Sequence, residues 1–206
     1  MRLVILGGSG SGKSTQAQRL CRYFDIPLIS TGEILREAIS GNKPLANFQW
    51  PQGDRHYLSV YTSLSELGYH VKPYVEKGEL VPDETIVELI KVRLRQSDIN
   101  SDWVLEGYPR TAYQAEELDF LLDDLGQKLD WAIYLQVPEA VMVSRSLGRS
   151  LPDDQPEIVQ RRVELFYDRT IPILEYYDRR RRLLTINGDQ SPEMVLQNIL
   201  TLLAVP

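Results

Sequence analysis

Short apolar runs and longer stretches of helical spacing alternate along most of the chain. The apolar runs do not alternate in polarity, which is typical of strands covered on both faces of a sheet. They lie at residues 2–6, 27–30, 103–106, 131–137 and 183–186. Apolar residues recur at helical spacing over residues 13 to about 23, 32–39, 83–96, 111–125, 138–147, 155–181 and 191–203. Pro172 lies inside the longest helical stretch and predicts a kink there.

This alternation predicts an α/β fold of three layers, in which helices cover both faces of a five-stranded parallel sheet. Ligands of such sheets bind beyond the carboxyl ends of the strands. Polar segments follow four of the predicted strands, at residues 7–14, 30–33, 106–110 and 187–189. These segments therefore indicate a single binding site at one edge of the sheet.

The segment from Gly7 to Ser14 follows the first predicted strand and reads Gly-Gly-Ser-Gly-Ser-Gly-Lys-Ser. This is the G-x-x-x-x-G-K-[ST] spacing of a phosphate loop (P-loop), whose backbone N–H groups wrap a polyphosphate and whose lysine reaches the terminal phosphates. The next helix points the positive end of its dipole at the anion. A plain Gly/Ser-rich loop is the alternative. We predict phosphate contacts from Gly8, Ser9, Gly10, Ser11, Gly12, Lys13, Ser14 and Thr15.

Composition narrows the class of protein. A chain of 206 residues suits one domain, and a net charge of −6 argues against a nucleic-acid partner. Cys21 is the single cysteine, so we expect neither an internal disulfide nor a zinc-binding cysteine pair. No apolar run approaches the ~20 residues of a membrane span, and the chain begins with a predicted strand rather than a signal peptide. We therefore expect a cytoplasmic protein that binds no membrane.

Further segments resemble the signatures of the adenylate kinase family. Residues 29–36 read ISTGEILR, residues 106–115 read EGYPRTAYQA, and residues 77–84 read KGELVPDE. Residues 145–149 (RSLGR) resemble the arginine pair before the family's lid, and residues 153–177 resemble the helix after it. The resemblance extends in order over nearly the whole chain. It implies a monomeric P-loop kinase that transfers a phosphoryl group reversibly from ATP to AMP with Mg²⁺, giving two ADP.

Phosphoryl transfer needs cations and positioned donors more than a nucleophilic side chain. Arginines suit this task because the guanidinium group binds phosphate oxygens in pairs. The alternative role for these arginines is to form salt bridges at the surface. The sequence also leaves open whether Arg161 or Arg162 faces the site. The resemblance implies that the catalytic residues are Lys13, Arg110, Arg149 and Arg162. It also implies that ATP is contacted by Arg145 and Gln190, and Mg²⁺ by Ser14 and, through water, Glu106.

The resemblance likewise implies an acceptor site. Gln114 would read the base edge, because an amide donates and accepts at once and so matches adenine. Kinases for uridylate and cytidylate look similar but carry Ala and Asn where this chain has Thr31 and Thr111. This favours AMP, with another nucleoside monophosphate as the alternative. The implied AMP-binding residues are Thr31, Arg36, Glu79, Leu80, Val81, Gly107, Arg110, Gln114 and Arg162.

The chain also departs from the family's pattern. Glu33 and Glu106 stand where the family usually has Asp, and the longer Glu106 shifts a magnesium-binding carboxylate. The predicted lid, residues 149–154, is very short and has Leu151 where the family carries another arginine. A weakly catalytic nucleotide-binding regulator is therefore a further alternative. The predicted monophosphate-binding lobe, residues 30–81, includes an insertion at about 41–64 that is rich in Pro, Gly and aromatic residues.

Overall fold

The computed structural model describes residues 1–41, 63–99, 101–149 and 154–204. Within them a parallel sheet runs in the order β2-β3-β1-β4-β5. Its strands are β1 (Arg2–Leu6), β2 (Leu28–Ser30), β3 (Trp103–Glu106), β4 (Trp131–Gln136) and β5 (Leu183–Asn187). The predicted α/β fold and its five-stranded parallel sheet are confirmed, and the predicted strand ends differ from the observed ones by at most one residue.

The helices lie on both faces of the sheet, as predicted. Their bounds are α1 (Lys13–Phe24), α2 (Thr31–Ser40), α3 (Leu64–Glu76), α4 (Asp83–Leu94), α5 (Ala112–Asp124), α6 (Glu139–Leu147), α7 (Pro156–Leu165), α8 (Ile171–Arg179) and α9 (Pro192–Leu203). Leu3 and Ile5 of β1 face α1 and α9, whereas Val4 and Leu6 face the core formed with α2, α3, α4, α5 and α8. None of the described helices is long and apolar enough to cross a membrane.

Side-chain caps begin α2 and α5, two of the helices that leave the carboxyl edge of the sheet. Ser30, the last residue of β2, accepts a hydrogen bond from the backbone N–H of Glu33 at 3.4 Å and starts α2. Thr111 accepts one from the backbone N–H of Gln114 at 3.2 Å and starts α5. Such caps satisfy the N–H groups that a helix leaves without an internal partner. They therefore fix where the first turns of α2 and α5 stand at this edge.

The long helical stretch predicted over residues 155–181 is interrupted. It begins as α7, widens into a π-helical turn at Phe166–Thr170, and continues as α8. Pro172 explains the position of this turn, because it has no N–H to donate and its ring crowds the carbonyl one turn earlier. π-helical turns inside helices are a known way of bending them and often occur at functional sites.

Helices α2 and α3 pack closely within the predicted monophosphate-binding lobe. A Cβ atom at Gly68 would overlap the carbonyl oxygen of Ala38, so only glycine permits this approach. The predicted insertion, about 41–64, lies outside the described residues except at its ends, Gly41, Ser63 and Leu64. Residues 150–153 of the predicted lid, including Leu151, also lie outside them. The lobe and lid divisions stay predictions.

Candidate active site

A cleft of about 520 Å³ opens at the carboxyl ends of the strands, where the sequence predicts the site. The phosphate loop after β1 forms one side of it, and the ends of β2 and β3 form the other. The structure brings most predicted site residues together in its walls. These residues are Gly8, Ser9, Gly10, Gly12, Lys13, Ser14, Thr15, Thr31, Arg36, Glu79, Leu80, Val81, Glu106, Gly107, Arg110, Gln114, Arg145, Arg149 and Arg162.

The phosphate loop owes its shape to glycine. Gly12 has φ 93° and directly precedes α1, and Gly10 has φ 79°. A Cβ atom at Gly10 would also overlap the carbonyl oxygen of Met142 on α6. Both the backbone angle and the close approach therefore exclude a larger residue there. The resulting turn places Lys13, the first residue of α1, beneath the loop, where its Nζ donates a hydrogen bond to the Gly8 carbonyl at 2.6 Å.

Lys13 is partly buried in the wall of the cleft and lies near other cations. Burial lowers the pKa of Lys13 to about 8; the carboxylate of Glu106 opposes this, while Arg110, Arg149 and Arg162 lower the pKa further. Burial likewise lowers the pKa of Arg110, again against the influence of Glu106. Crowded, desolvated cations attract polyanions strongly, because an anion restores the interactions lost with water and relieves the repulsion among them. The protein's own groups thus prepare this end of the cleft for phosphates.

A buried carboxylate orients two of the arginines. Arg149 Nε and Nη2 donate to the two oxygens of Asp154, at 3.1 and 2.8 Å, and Arg162 Nη1 lies 3.6 Å from the same carboxylate. The side chain of Asp154 is only 1% exposed. Arg149 Nη2 also donates to Ser9 Oγ at 3.1 Å, which ties it to the phosphate loop. Sequence reasoning missed Asp154 as a functional residue; its signal was an acidic residue five positions after a predicted catalytic arginine.

The structure separates the neighbouring arginines of α7. Arg162 lines the cleft with a side chain 17% exposed. Arg161 points outward, and its Nε and Nη2 donate to the carboxylate of Glu79 at 2.7 and 3.2 Å. Of the two candidates that the sequence left open, Arg162 therefore faces the cleft, and Arg161 joins α7 to the loop that follows α3.

The other end of the cleft is built from paired polar side chains. Gln114 Oε1 accepts from the backbone N–H of Arg110 at 2.7 Å, and Gln114 Nε2 donates to Asp83 Oδ1 at 2.7 Å. Arg110 Nε donates to the Gly107 carbonyl at 3.0 Å, and its own carbonyl accepts from Thr170 Oγ1 at 3.0 Å. Thr170 ends the π-helical turn, so this turn contacts the site directly. Asp83 and Thr170 are further residues that sequence reasoning missed.

Glu106 fits a magnesium–nucleotide site better than a resident metal centre. Its side chain is nearly buried, lines the cleft with Ser14, and accepts from Ser30 Oγ at 3.0 Å. Among the described residues, no cluster of three or more His, Cys, Asp or Glu could hold a metal ion alone. Mg²⁺ on nucleotides is typically held by one or two protein groups together with phosphates and water. The single carboxylate and hydroxyl found here match that donor set.

The segment after β5 holds Arg145 at the cleft, because Arg145 Nη1 and Nη2 donate to the Gly188 carbonyl and to Asp189 Oδ1, at 3.0 and 3.2 Å. Two other predicted ATP contacts, Gln190 and Ser11, lie outside the cleft wall. Gln190 does not line the cleft, and its Oε1 accepts from Asn198. Ser11 is buried within the phosphate loop rather than in the cleft wall. The contacts of Gln190 and Ser11 with ATP stay predictions.

A phosphate loop, its partly buried lysine and several arginines in one cleft at the edge of a parallel sheet define a P-loop protein that binds nucleotide phosphates. The adenylate kinase family model matches residues 55–182, and an AAA domain model matches residues 6–52. Adenylate kinase 2 of Nostoc sp. (strain PCC 7120) is 75% identical over 205 residues, covering 100% of both chains. Adenylate kinase 2 of Synechocystis sp. (strain PCC 6803) is 50% identical, covering 97% of this chain and 98% of its own. The chain belongs to the adenylate kinase family.

Proposed function

We propose that the cleft is where this chain carries out the reaction of its family, reversible phosphoryl transfer from ATP to AMP to give two ADP. One observation carries the proposal. Residues of the phosphate loop and Gln114 line the same cleft. Arg110, Arg149 and Arg162 also line it. Two nucleotides bound at the two ends would meet tail to tail among these cations.

Phosphoryl transfer requires that the protein position the reactants and stabilise negative charge. The transferred group carries its charge on oxygens that planar guanidinium groups bind in pairs. Lys13, Arg149 and Arg162 would act on the transferring phosphoryl group, while Arg36, Arg110 and Thr31 would hold the acceptor phosphate. Arg145 would stack on the ATP base. Asp154 would keep Arg149 and Arg162 aimed inward, which makes it a positioning residue.

The residues also fit a magnesium ion bound with the nucleotide. Ser14 and, through water, Glu106 would hold it, and when bound it neutralises charge on the phosphates. The carboxylate of Glu106 is already engaged by Ser30, which fixes one of its oxygens. The other oxygen is the one we expect to face water.

The acceptor is proposed to be AMP. Gln114 would read the adenine edge, and the backbone of Glu79, Leu80 and Val81 would line the base. The proposal rests on the amide of Gln114 and on Thr31, whose Oγ1 donates to the Glu106 carbonyl at 3.3 Å. Another nucleoside monophosphate remains the alternative acceptor. A further alternative is a weakly catalytic regulator. It rests on Leu151, which stands where the resemblance implies a lid arginine and which lies outside the described residues.

We also propose a cytoplasmic monomer that binds neither nucleic acid nor membrane. The net charge of −6 supports the absence of a nucleic-acid partner. Burial raises the pKa of the single cysteine, Cys21, to about 11, which disfavours its reactive thiolate form at neutral pH. Sedimentation of the purified protein, with and without ATP, tests the monomer: a dimer at micromolar concentration contradicts it.

An acceptor panel tests the function. ADP formation is followed in a coupled assay with ATP, Mg²⁺ and, in turn, AMP, dAMP, GMP, CMP and UMP. We expect AMP to have the highest kcat/KM. A higher value with CMP or UMP would establish the alternative acceptor, and tight binding of ATP and AMP with negligible turnover would establish the regulator.

A further inference from the structure

We propose that Asp83 sets the preference of the acceptor site for adenine by locking the polarity of the Gln114 amide. The inference rests on the proposed role of Gln114 as the residue that reads the base. Asp83 is the first residue of α4 and lies 31 positions before Gln114, on a different helix. Nothing in the local sequence of either residue indicates that they meet.

The Gln114 amide is clamped from both sides. Asp83 Oδ1 takes a hydrogen bond from Nε2 at 2.7 Å, and the backbone N–H of Arg110 gives one to Oε1, also at 2.7 Å. The Gln114 side chain is almost fully buried, at 2% exposure, yet it lines the cleft. The amide therefore has two fixed partners and one face toward the ligand.

Both partners have a polarity that cannot be reversed. An ionised carboxylate only accepts hydrogen bonds, and a backbone N–H only donates. Turning the amide over would place the NH₂ group of Gln114 against the N–H of Arg110 and its oxygen against Asp83. A free glutamine can present either order of donor and acceptor, whereas this one is held in a single order.

The backbone around Gln114 is tied to the same network. Thr111 Oγ1 lies 3.2 and 3.3 Å from the two oxygens of Asp83, to which it donates, while accepting from the N–H of Gln114 at 3.2 Å. Tyr108 OH donates to the Gln114 carbonyl at 2.8 Å. Asp83 therefore holds the side chain of Gln114 and, through Thr111, the first turn of α5.

The locked amide has one N–H and one oxygen lone pair left. Adenine offers a ring nitrogen that accepts and an amino group that donates, so both remaining positions are satisfied. Hypoxanthine and guanine offer the opposite order, a ring N–H that donates and a carbonyl that accepts. They would meet donor against donor and acceptor against acceptor, and unpaired buried polar groups discriminate strongly between ligands.

A different role for Asp83 is stabilisation of the N-terminus of α4, where acidic residues favour the helix dipole. Glu84 provides the matched control, because it is the next residue, lies in the same first turn and is exposed. Replacement of either residue by its amide removes one negative charge from that turn. Only Asp83→Asn changes the partner of Gln114.

The experiment compares AMP with IMP, whose bases differ in the edge that Gln114 would read. We measure kcat/KM for both acceptors, and KM for ATP, in the wild type, Asp83→Asn and Glu84→Gln. Asparagine can turn either its oxygen or its N–H toward Gln114, so in Asp83→Asn only the backbone N–H of Arg110 still fixes the order of the amide. We expect the AMP-to-IMP ratio to fall about threefold or more. ATP KM should change less than about twofold, because the donor end is untouched. Glu84→Gln should keep the wild-type ratio.

Two outcomes overturn the proposal: an AMP-to-IMP ratio that Asp83→Asn leaves unchanged, whether or not activity falls, or a ratio that falls equally in Glu84→Gln. Asp83→Glu keeps a carboxylate and should retain more of the adenine preference than Asp83→Asn, which a purely structural role does not predict. Gln114→Ala tests the role of Gln114 separately from that of Asp83. If Gln114→Ala leaves the AMP-to-IMP ratio unchanged, the reading of the base by Gln114 is wrong. If it lowers the ratio and Asp83→Asn does not, only the lock is wrong.

Discussion

The two ends of the cleft achieve recognition by different means. The donor end consists of a backbone shaped by glycines together with cations: Lys13 donates a hydrogen bond to the loop, and Asp154 orients Arg149. The base pocket at the acceptor end presents a hydrogen-bond donor and an acceptor in a fixed order, because the Gln114 amide is held between Asp83 and the backbone of Arg110. The first arrangement responds to the amount of negative charge, and the second to the order of donors and acceptors.

This difference has consequences for mutation. Charges act over several ångströms, so the loss of one donor-end residue should weaken catalysis with every acceptor alike. Hydrogen-bond order acts only in contact, so a change at the acceptor end should alter which acceptor is used while leaving ATP binding nearly unchanged. Kinetics with two acceptors and with varied ATP can therefore assign a residue to one end or the other.

The largest effect is expected for Lys13→Ala. We expect kcat to fall about a thousandfold or more with every acceptor, because a cation directed at the transferring group is lost. The melting temperature should not fall, since the removed ammonium group is desolvated and lies among three arginines. Lys72→Ala on α3, which removes an exposed lysine paired with Glu76, is the control and should keep wild-type activity. Turnover near the wild-type rate in Lys13→Ala would contradict the assignment of the phosphate loop.

A smaller effect on the same end is expected for Asp154→Asn. The amide keeps the size of the side chain but weakens the charged hydrogen bonds to Arg149, so kcat should fall about 10- to 100-fold. AMP and any second acceptor should lose activity by the same factor, which distinguishes this variant from Asp83→Asn. A loss of activity with only one acceptor would show that Asp154 acts on the base site. The two ends of the cleft would then not have separate roles.

The sequence predicts more of the donor end than of the acceptor end. The fold follows from apolar periodicity, and the phosphate loop from eight contiguous residues, because both signals are local. Asp83 was not predicted, since its role depends on the packing of α4 against α5. The choice between Arg161 and Arg162 was also open, because consecutive residues point about 100° apart on a helix and only the packing of α7 decides which faces inward.

The pH dependence of ATP binding sharpens the comparison further. With the pKa of Lys13 lowered to about 8, the group is protonated below that pH and neutral above it. Bound phosphates favour the ammonium form, so binding above pH 8 requires proton uptake and becomes weaker, by at most about tenfold per pH unit. Below pH 8 this group should cause no such change.

Calorimetry at pH 9 in two buffers of different ionisation enthalpy measures the proton uptake directly. We expect uptake on binding ATP, and none attributable to Lys13 in the Lys13→Ala variant. AMP should bind with a weaker pH dependence, since its proposed contacts are arginines and neutral groups. Equal heats in both buffers for the wild type at pH 9 would contradict the lowered pKa.

The smallest effect is expected where the two ends are joined at the surface, by Arg161 on α7 and Glu79 after α3. Arg161→Gln breaks a two-point ion pair, but its partners are 43% and 37% exposed and screened by water. We expect KM for AMP to rise less than about fivefold, because the pair restrains the loop that lines the acceptor pocket, and the effect to fade as salt is raised. Arg162→Gln, on the adjacent residue facing the cleft, should instead lower kcat by about a hundredfold or more. Similar kinetics for the two variants would contradict the assignment of Arg162 as the inward-facing cation of α7.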